Sequence, residues 1–283
     1  ATPSMVKFSG GKGKIVMLGE EADTLYLDAI LSLINLSPKA IEAFRDLKMV
    51  YTPLHGTGVQ MVPKALETLR FTNVFHVPQQ DVTDGNFPTV ISPNPEEPAA
   101  LKLAIEKAEE TGAQLVMATD PDADRVGIAV RNPSGKMELL NGNQTAALLT
   151  YYLLEKWKEA KRLKGNEYIV KTIVTSDLLK AIADHYGVAC YNVLTGFKYI
   201  AEVIRNNEGK KVFICGGEES YGFNVGQYVR DKDAVVTCAL VAEVACWAAS
   251  KGKTLYDLMC EVYLRFGFFK ERMVSVTLKG KDG

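Results

Sequence analysis

The chain has 283 residues, 47% of them hydrophobic and 24% charged, with a formal net charge of −1. Such values belong to a globular protein of one large or two ordinary domains, with enough chain to bury a sizeable core. The near-neutral balance predicts no polyanion partner such as nucleic acid, which would need a basic face, but a small phosphorylated ligand needs only two or three well-placed cations.

Taken in chain order, residues 24–34 carry helical apolar spacing. Ser37-Pro38 then opens a second, short helix, with Ser37 as N-cap and proline at the first position. A strand is predicted at 49–54, a helix at 62–69 and a second strand at 73–77. Residues 98–110 read as a helix ended near Gly112, and 114–119 as a buried strand. Strands at 126–130 and 136–140 flank Asn132-Pro133-Ser134-Gly135, a hairpin turn by composition. A helix from about 144 to 161 opens a second block. Next come a strand at 168–174, a helix N-capped by Ser176 and a strand at 189–194. A helix at 199–206, a strand at 211–215 and helices near 232–250 and 254–264 complete it. Strand–helix alternation in both blocks predicts two consecutive α/β domains, 1–141 and 142–283, with mixed, parallel-rich sheets and helices on both faces.

The five cysteines, Cys190, Cys215, Cys238, Cys246 and Cys260, are odd in number and form no Cys-x-x-Cys. They argue against a disulfide scaffold or zinc site and fit a reducing, cytoplasmic setting. No apolar run is long enough to span a bilayer, so no membrane partner is expected. Residues 1–14 lack the apolar core of a signal peptide. With Met5 the only early methionine, the chain is expected to begin within a longer protein.

The sharpest motif is Asp120-Pro121-Asp122-Ala123-Asp124-Arg125, directly after the apolar strand. In an extended chain, residues i, i+2 and i+4 point the same way, so three carboxylates converge. Hard oxygen ligands suit Mg²⁺, which keeps positions open for water or phosphate, and Arg125 adds bidentate phosphate recognition. The other reading is a solvated acidic turn. An EF-hand fails, because its sixth position here is Arg125 where glycine is required. A haloacid-dehalogenase-type phosphatase also begins Asp-x-Asp after a strand, but continues with glycine where Arg125 stands here.

Gly216-Gly217-Glu218-Glu219-Ser220-Tyr221-Gly222 likewise follows a strand. Glu218 and Ser220 can both reach a polyol, the carboxylate accepting from two hydroxyls. Open α/β sheets place ligands beyond the carboxyl ends of their strands. Taken alone, the segment also reads as a turn. Thr195-Gly196-Phe197-Lys198 and Arg230-Asp231-Lys232-Asp233 supply cations, or else ordinary surface charge. His55-Gly56-Thr57-Gly58 joins strand to helix, and its amides either meet an anion or simply make the turn.

Several motifs in order resemble one family. Thr52-Pro53-Leu54-His55-Gly56, Phe87-Pro88-Thr89-Val90, Pro93-Asn94-Pro95-Glu96-Glu97 and the aspartate loop resemble the second domain of α-D-phosphohexomutases. Thr195-Gly196-Phe197-Lys198, Gly217-Glu218-Glu219-Ser220-Tyr221-Gly222 and Arg230-Asp231-Lys232-Asp233 resemble the third. The resemblance implies a phosphoglucomutase/phosphomannomutase that interconverts hexose 1-phosphate and hexose 6-phosphate through a phosphoserine and a bisphosphate that reorients. It implies Mg²⁺ on Asp120, Asp122 and Asp124, with Arg125 at the phosphoryl group. Lys198 and Lys232 would line the cleft as catalytic residues. Thr195, Gly196, Gly217, Glu218 and Ser220 would bind a glucose or mannose phosphate.

This sequence departs from the family in ways that matter. The family's serine lies in a Thr-Ala-Ser-His-Asn-Pro-like loop, and this chain contains no Ser-His pair. The fourth domain's Arg-Pro-Ser-Gly-Thr-like loop is approached only by Arg131-Asn132-Pro133-Ser134-Gly135, which sits in the predicted hairpin. Ala234 stands where the family usually has glycine. Domains I and IV are therefore expected as missing partners of this chain, and negligible mutase turnover is expected without them. Two other classes remain open: a metal-dependent phosphatase with Asp120 or Asp122 as nucleophile, and a non-catalytic sugar-phosphate-binding protein.

Overall fold

A computed structural model describes residues 16–271. The leader reading of residues 1–14 lies outside the described residues.

The first block runs α1 (Glu20–Leu31), α2 (Pro38–Glu42), β1 (Met49–Thr52), α3 (Gly58–Thr68), β2 (Val74–His76), α4 (Lys102–Thr111), β3 (Leu115–Thr119), β4 (Val126–Arg131) and β5 (Met137–Leu140). Its sheet has the order β2-β1-β3-β4-β5, parallel across the first three strands and antiparallel across the last two pairings. Stepping from β1 out to β2 and back past β1 to β3 puts the two crossover helices on opposite faces. The side chains obey that geometry. Met49, Tyr51, Leu115 and Met117 share a core with Val62, Ala65 and Leu66 of α3. Val50, Val116 and Ala118 meet Leu101, Ala104 and Ala108 around α4. Successive strand residues alternate between the two cores because strand side chains have a period of two.

The second block runs α5 (Gly142–Glu159), β6 (Glu167–Thr172), α6 (Leu178–Tyr186), β7 (Ala189–Val193), α7 (Phe197–Asn206), β8 (Val212–Gly217), β9 (Phe223–Val225), α8 (Ala234–Ser250) and α9 (Leu255–Phe266). The order β7-β6-β8-β9 repeats that of the first four strands of the first sheet: three parallel strands, then an antiparallel one. Tyr168, Val170 and Phe213 pack on Phe197, Ile200 and Ile204 of α7. Ile169 and Ile214 face the core shared with α5, α6 and α8.

Helix α8 is apolar on every side and buried from Ala234 to Ala248. A helix of that kind belongs inside. It packs on α2, α3, β3 and β4 of the first block and on α5, α9 and β9 of the second. Among the described residues, no single helix is long and apolar enough to cross a membrane.

Local differences from the sequence reading have identifiable causes. Helix α6 begins at Leu178 after Asp177, whose side chain makes no cap, while Ser176 Oγ accepts from the Leu178 amide at 3.2 Å. Helix α4 starts at Lys102 because residues 98–101 are spent in turns. Asn141 and Gln144 form a capping box that starts α5 two residues earlier than periodicity indicates. Strand β9 was not anticipated, since three residues show no period.

Candidate active site

The aspartate loop links β3 to β4, and the glutamate–serine loop links β8 to β9. The two loops thus occupy the same place in their two sheets. They meet directly. Arg125 and Gly222, each the residue before its antiparallel strand, form an antiparallel bridge, and the Val126 amide donates to the Tyr221 carbonyl at 3.2 Å.

The aspartate loop is not extended, so the strand-like alternation expected from sequence is incorrect. Ala123 has φ of 57°, in the left-handed region, and its amide closes a turn onto the Asp120 carbonyl at 3.0 Å. The turn brings the carboxylates together instead: ligand oxygens of Asp120, Asp122 and Asp124 lie within 4.8 Å of one another. Asp120 organises the loop. Its Oδ1 accepts from the Asp124 and Arg125 amides at 3.0 and 2.9 Å, and its Oδ2 accepts from Arg125 Nε at 2.7 Å. Three bonds leave about one of a carboxylate's four lone-pair sites for a further partner. Burial raises the pKa of Asp120, the Arg125 amide and side-chain bonds pull it back, and the charge of Asp124 raises it again. Three clustered carboxylates are a set of hard oxygen donors that fits a divalent metal.

Two cations pair with these carboxylates, Arg125 and Lys232. Arg125 Nη1 also lies 3.5 Å from Glu96 Oε1, a contact with no sequence signal, since its partner is distant along the chain. Lys232 Nζ lies 2.9 Å from Asp124 Oδ2 and 5.3 Å from the centroid of the Phe197 ring. Burial disfavours its ammonium form, but the bond to and charge of Asp124, helped by Asp231, leave its pKa raised. Gly222 makes this reach possible, because a Cβ there would collide with the Lys232 side chain.

In the glutamate–serine loop, Glu218 is buried and its Oε1 accepts from the Gly196 amide at 3.0 Å, so the turn after β7 holds it. Burial raises its pKa, against the Gly196 bond and Lys232. Ser220 is half-buried beside it, with Gly217 closing β8 behind. Glu219 turns away: its Oε2 accepts from the Thr172 and Thr175 hydroxyls, both at 3.1 Å. Beneath, the buried Lys171 ammonium donates to the Thr175 carbonyl at 2.8 Å and pairs with Asp177 at 3.0 Å. Sequence reading missed this layer, and the Thr172-x-x-Thr175 pair at a strand end was its available sign. Thr195 is exposed at the rim. Lys198 is not brought to the carboxylates. It is exposed and lines an open groove of about 480 Å³ with Glu202, Arg205 and Arg230, because the helical turn after Gly196 directs Phe197, not Lys198, toward Lys232.

The first three amides of the His55 turn are not free for an anion. Those of His55, Gly56 and Thr57 are spent on the carbonyls of Gln80, Pro53 and Pro121, and the last of these props the aspartate loop. The buried His55 ring is fixed by the Val82 carbonyl and by Thr89 of the Phe-Pro-Thr-Val segment. Arg131, in the hairpin string that approaches a phosphate loop, is engaged with the Ala108 and Ala113 carbonyls and with Glu109.

Residues 24–135 match the profile described as phosphoglucomutase/phosphomannomutase, alpha/beta/alpha domain II, and residues 141–266 match that of domain III. A phosphoglucomutase of Staphylococcus haemolyticus (strain JCSC1435) is 38% identical over 258 residues, covering 91% of this chain and 45% of that protein. The chain thus spans about half the length of the curated relatives it matches. A solved phosphoglucomutase/phosphomannomutase family protein from Burkholderia thailandensis shares the fold, with a TM-score of 0.66 at 20% identity, over 85% of this chain and 46% of that one. An Aspergillus fumigatus N-acetylphosphoglucosamine mutase, solved with GlcNAc-6P and magnesium, aligns with a TM-score of 0.55 at 14% identity, over 81% of this chain and 52% of that one.

Proposed function

The chain belongs to the phosphoglucomutase/phosphomannomutase family, and we propose that it forms the second and third domains, 1–141 and 142–283, of a phosphohexomutase acting on glucose or mannose phosphate. The observation that supports this reading is the backbone junction of the two loops, which brings the aspartates, Arg125 and Lys232 beside Glu218 and Ser220.

In this reading, Asp120, Asp122 and Asp124 hold Mg²⁺, which when bound neutralises charge on the phosphoryl group being transferred. Arg125 contacts that phosphoryl group. Lys232, its ammonium held against Asp124, neutralises charge on the same group. Glu218 accepts from two sugar hydroxyls, Ser220 completes their contact, and Gly196 keeps the Glu218 carboxylate aimed. Gly217 and Thr195 shape the sugar side, and Lys198 acts from the cleft rim. Phosphoryl transfer needs positioning and charge neutralisation more than covalent work by many groups, and that is what these residues offer. The phosphoserine comes from a first domain and the second phosphate contact from a fourth, both partners of this chain. A phosphatase with Asp120 as nucleophile is opposed by the full burial of that side chain and the three bonds on its oxygens.

The test is a coupled assay of hexose 1-phosphate to hexose 6-phosphate conversion. The 283-residue chain alone is expected to show negligible turnover, and the full-length protein robust turnover that needs Mg²⁺. Phosphate release by the chain alone, abolished in Asp122→Asn, would instead establish the phosphatase.

A further inference from the structure

The Pro93-Asn94-Pro95-Glu96-Glu97 segment enters no step above, yet it is built into the site. Asn94 Oδ1 accepts from the Glu96 amide at 3.1 Å, and its carbonyl accepts from the Glu97 amide at 3.0 Å, so the turn is fixed from within. Pro95 rests on Gly127 of β4, where any Cβ would overlap the Pro95 carbonyl oxygen. The turn is thereby pinned to the strand that follows the aspartate loop. Its inward carboxylate, Glu96, keeps 15% of its side-chain surface accessible and reaches Arg125 Nη1.

Arg125 is thus held from two sides, at Nε by Asp120 and at Nη1 by Glu96. Among the described residues, Nη2 makes neither hydrogen bond nor ion pair, and a third of the side chain stays open, at 33%. With the Asp120 and Asp124 contacts at Nε alone, Nη1 and Nη2 could still exchange by rotation about the Nε–Cζ bond. A second anchor removes that freedom and leaves one nitrogen facing outward. We propose that Glu96 is a positioning residue that fixes the plane of Arg125 so that Nη2 meets the phosphoryl oxygens. This rests on the phosphoryl role assigned to Arg125 above.

Two measurements test it. The first needs no activity. In protein carrying labelled arginine, the Arg125 guanidinium signals, identified by their loss in Arg125→Lys, report rotation about the Nε–Cζ bond. Rotation at least about tenfold faster in Glu96→Ala is expected. An unchanged rate overturns the proposal. The second uses the full-length enzyme. Glu96→Ala is expected to lower kcat by about 10–100-fold while KM and Mg²⁺ affinity stay within about twofold, with Glu96→Gln recovering part through its amide oxygen. An unchanged kcat, or a loss that only tracks the folded fraction, overturns it. If the full-length wild type interconverts no hexose phosphate, the mutase reading fails, and the rotation rate alone decides whether Glu96 grips Arg125.

Discussion

Lys232 runs across the bare Cα of Gly222 to reach Asp124. Gly222→Ala overpacks that crossing and is expected to cost roughly 1–3 kcal/mol. In a Lys232→Ala background the colliding atoms are gone, so the same change is expected to cost much less. Denaturant melts of the four proteins in this cycle check the difference, which belongs to the pair and not to either residue. A second residue has a consequence for pH. Glu243 on α8 is fully buried, and its Oε1 accepts from the Asn35 and Leu36 amides, both at 2.5 Å. Its Oε2 and the buried Tyr152 hydroxyl lack hydrogen-bond partners among the described residues. Burial pushes the Glu243 pKa from 4.5 up to about 7, against the two amides and Lys156. Between those values the native state holds the proton that the unfolded state has lost. Stability is therefore expected to fall by about 3 kcal/mol as pH rises through that window, then level off. Glu243→Gln should flatten this part of the stability profile, as read from melts between pH 4.5 and 7.5.

Helix α8 carries its own anchor. Asp233 Oδ1 accepts from the Val235 and Val236 amides at 2.8 and 3.2 Å, and Oδ2 accepts from Tyr26 at 2.7 Å and from Tyr228. Asp233→Ala removes an N-cap and strands two phenols. The expected loss is roughly 2–4 kcal/mol, against about 1 for Asn141→Ala at the capping box of α5, both read from denaturant melts. The elements themselves were largely legible, because apolar period and cap chemistry act locally. Ser37, Gly112 and the 132–135 hairpin behave as their residue types require. The candidate site was legible where a motif is contiguous, as in the grouping of Asp120, Asp122 and Asp124. It was illegible where geometry decides. The loop turns at Ala123 instead of extending, Lys198 faces the groove while Phe197 faces in, and Glu96 meets Arg125 only after the sheet has formed.

At the scale of the whole molecule, two sheets of one strand order share a core through α8, which touches both. Unfolding is therefore expected as one cooperative transition, with calorimetric and van't Hoff enthalpies that agree. Residues 142–283 expressed alone would expose the α8 face that packs on α3. They are expected to bind an apolar dye or to aggregate, while the whole chain does neither. The hydrogen bond from Val126 to Tyr221 has a further consequence. It joins the aspartate loop to the glutamate–serine loop, so the two loops keep one spacing. In the proposed reaction the sugar itself must roll over between stationary walls. Such a site rewards contacts that serve both poses equally over contacts that are tight in either one.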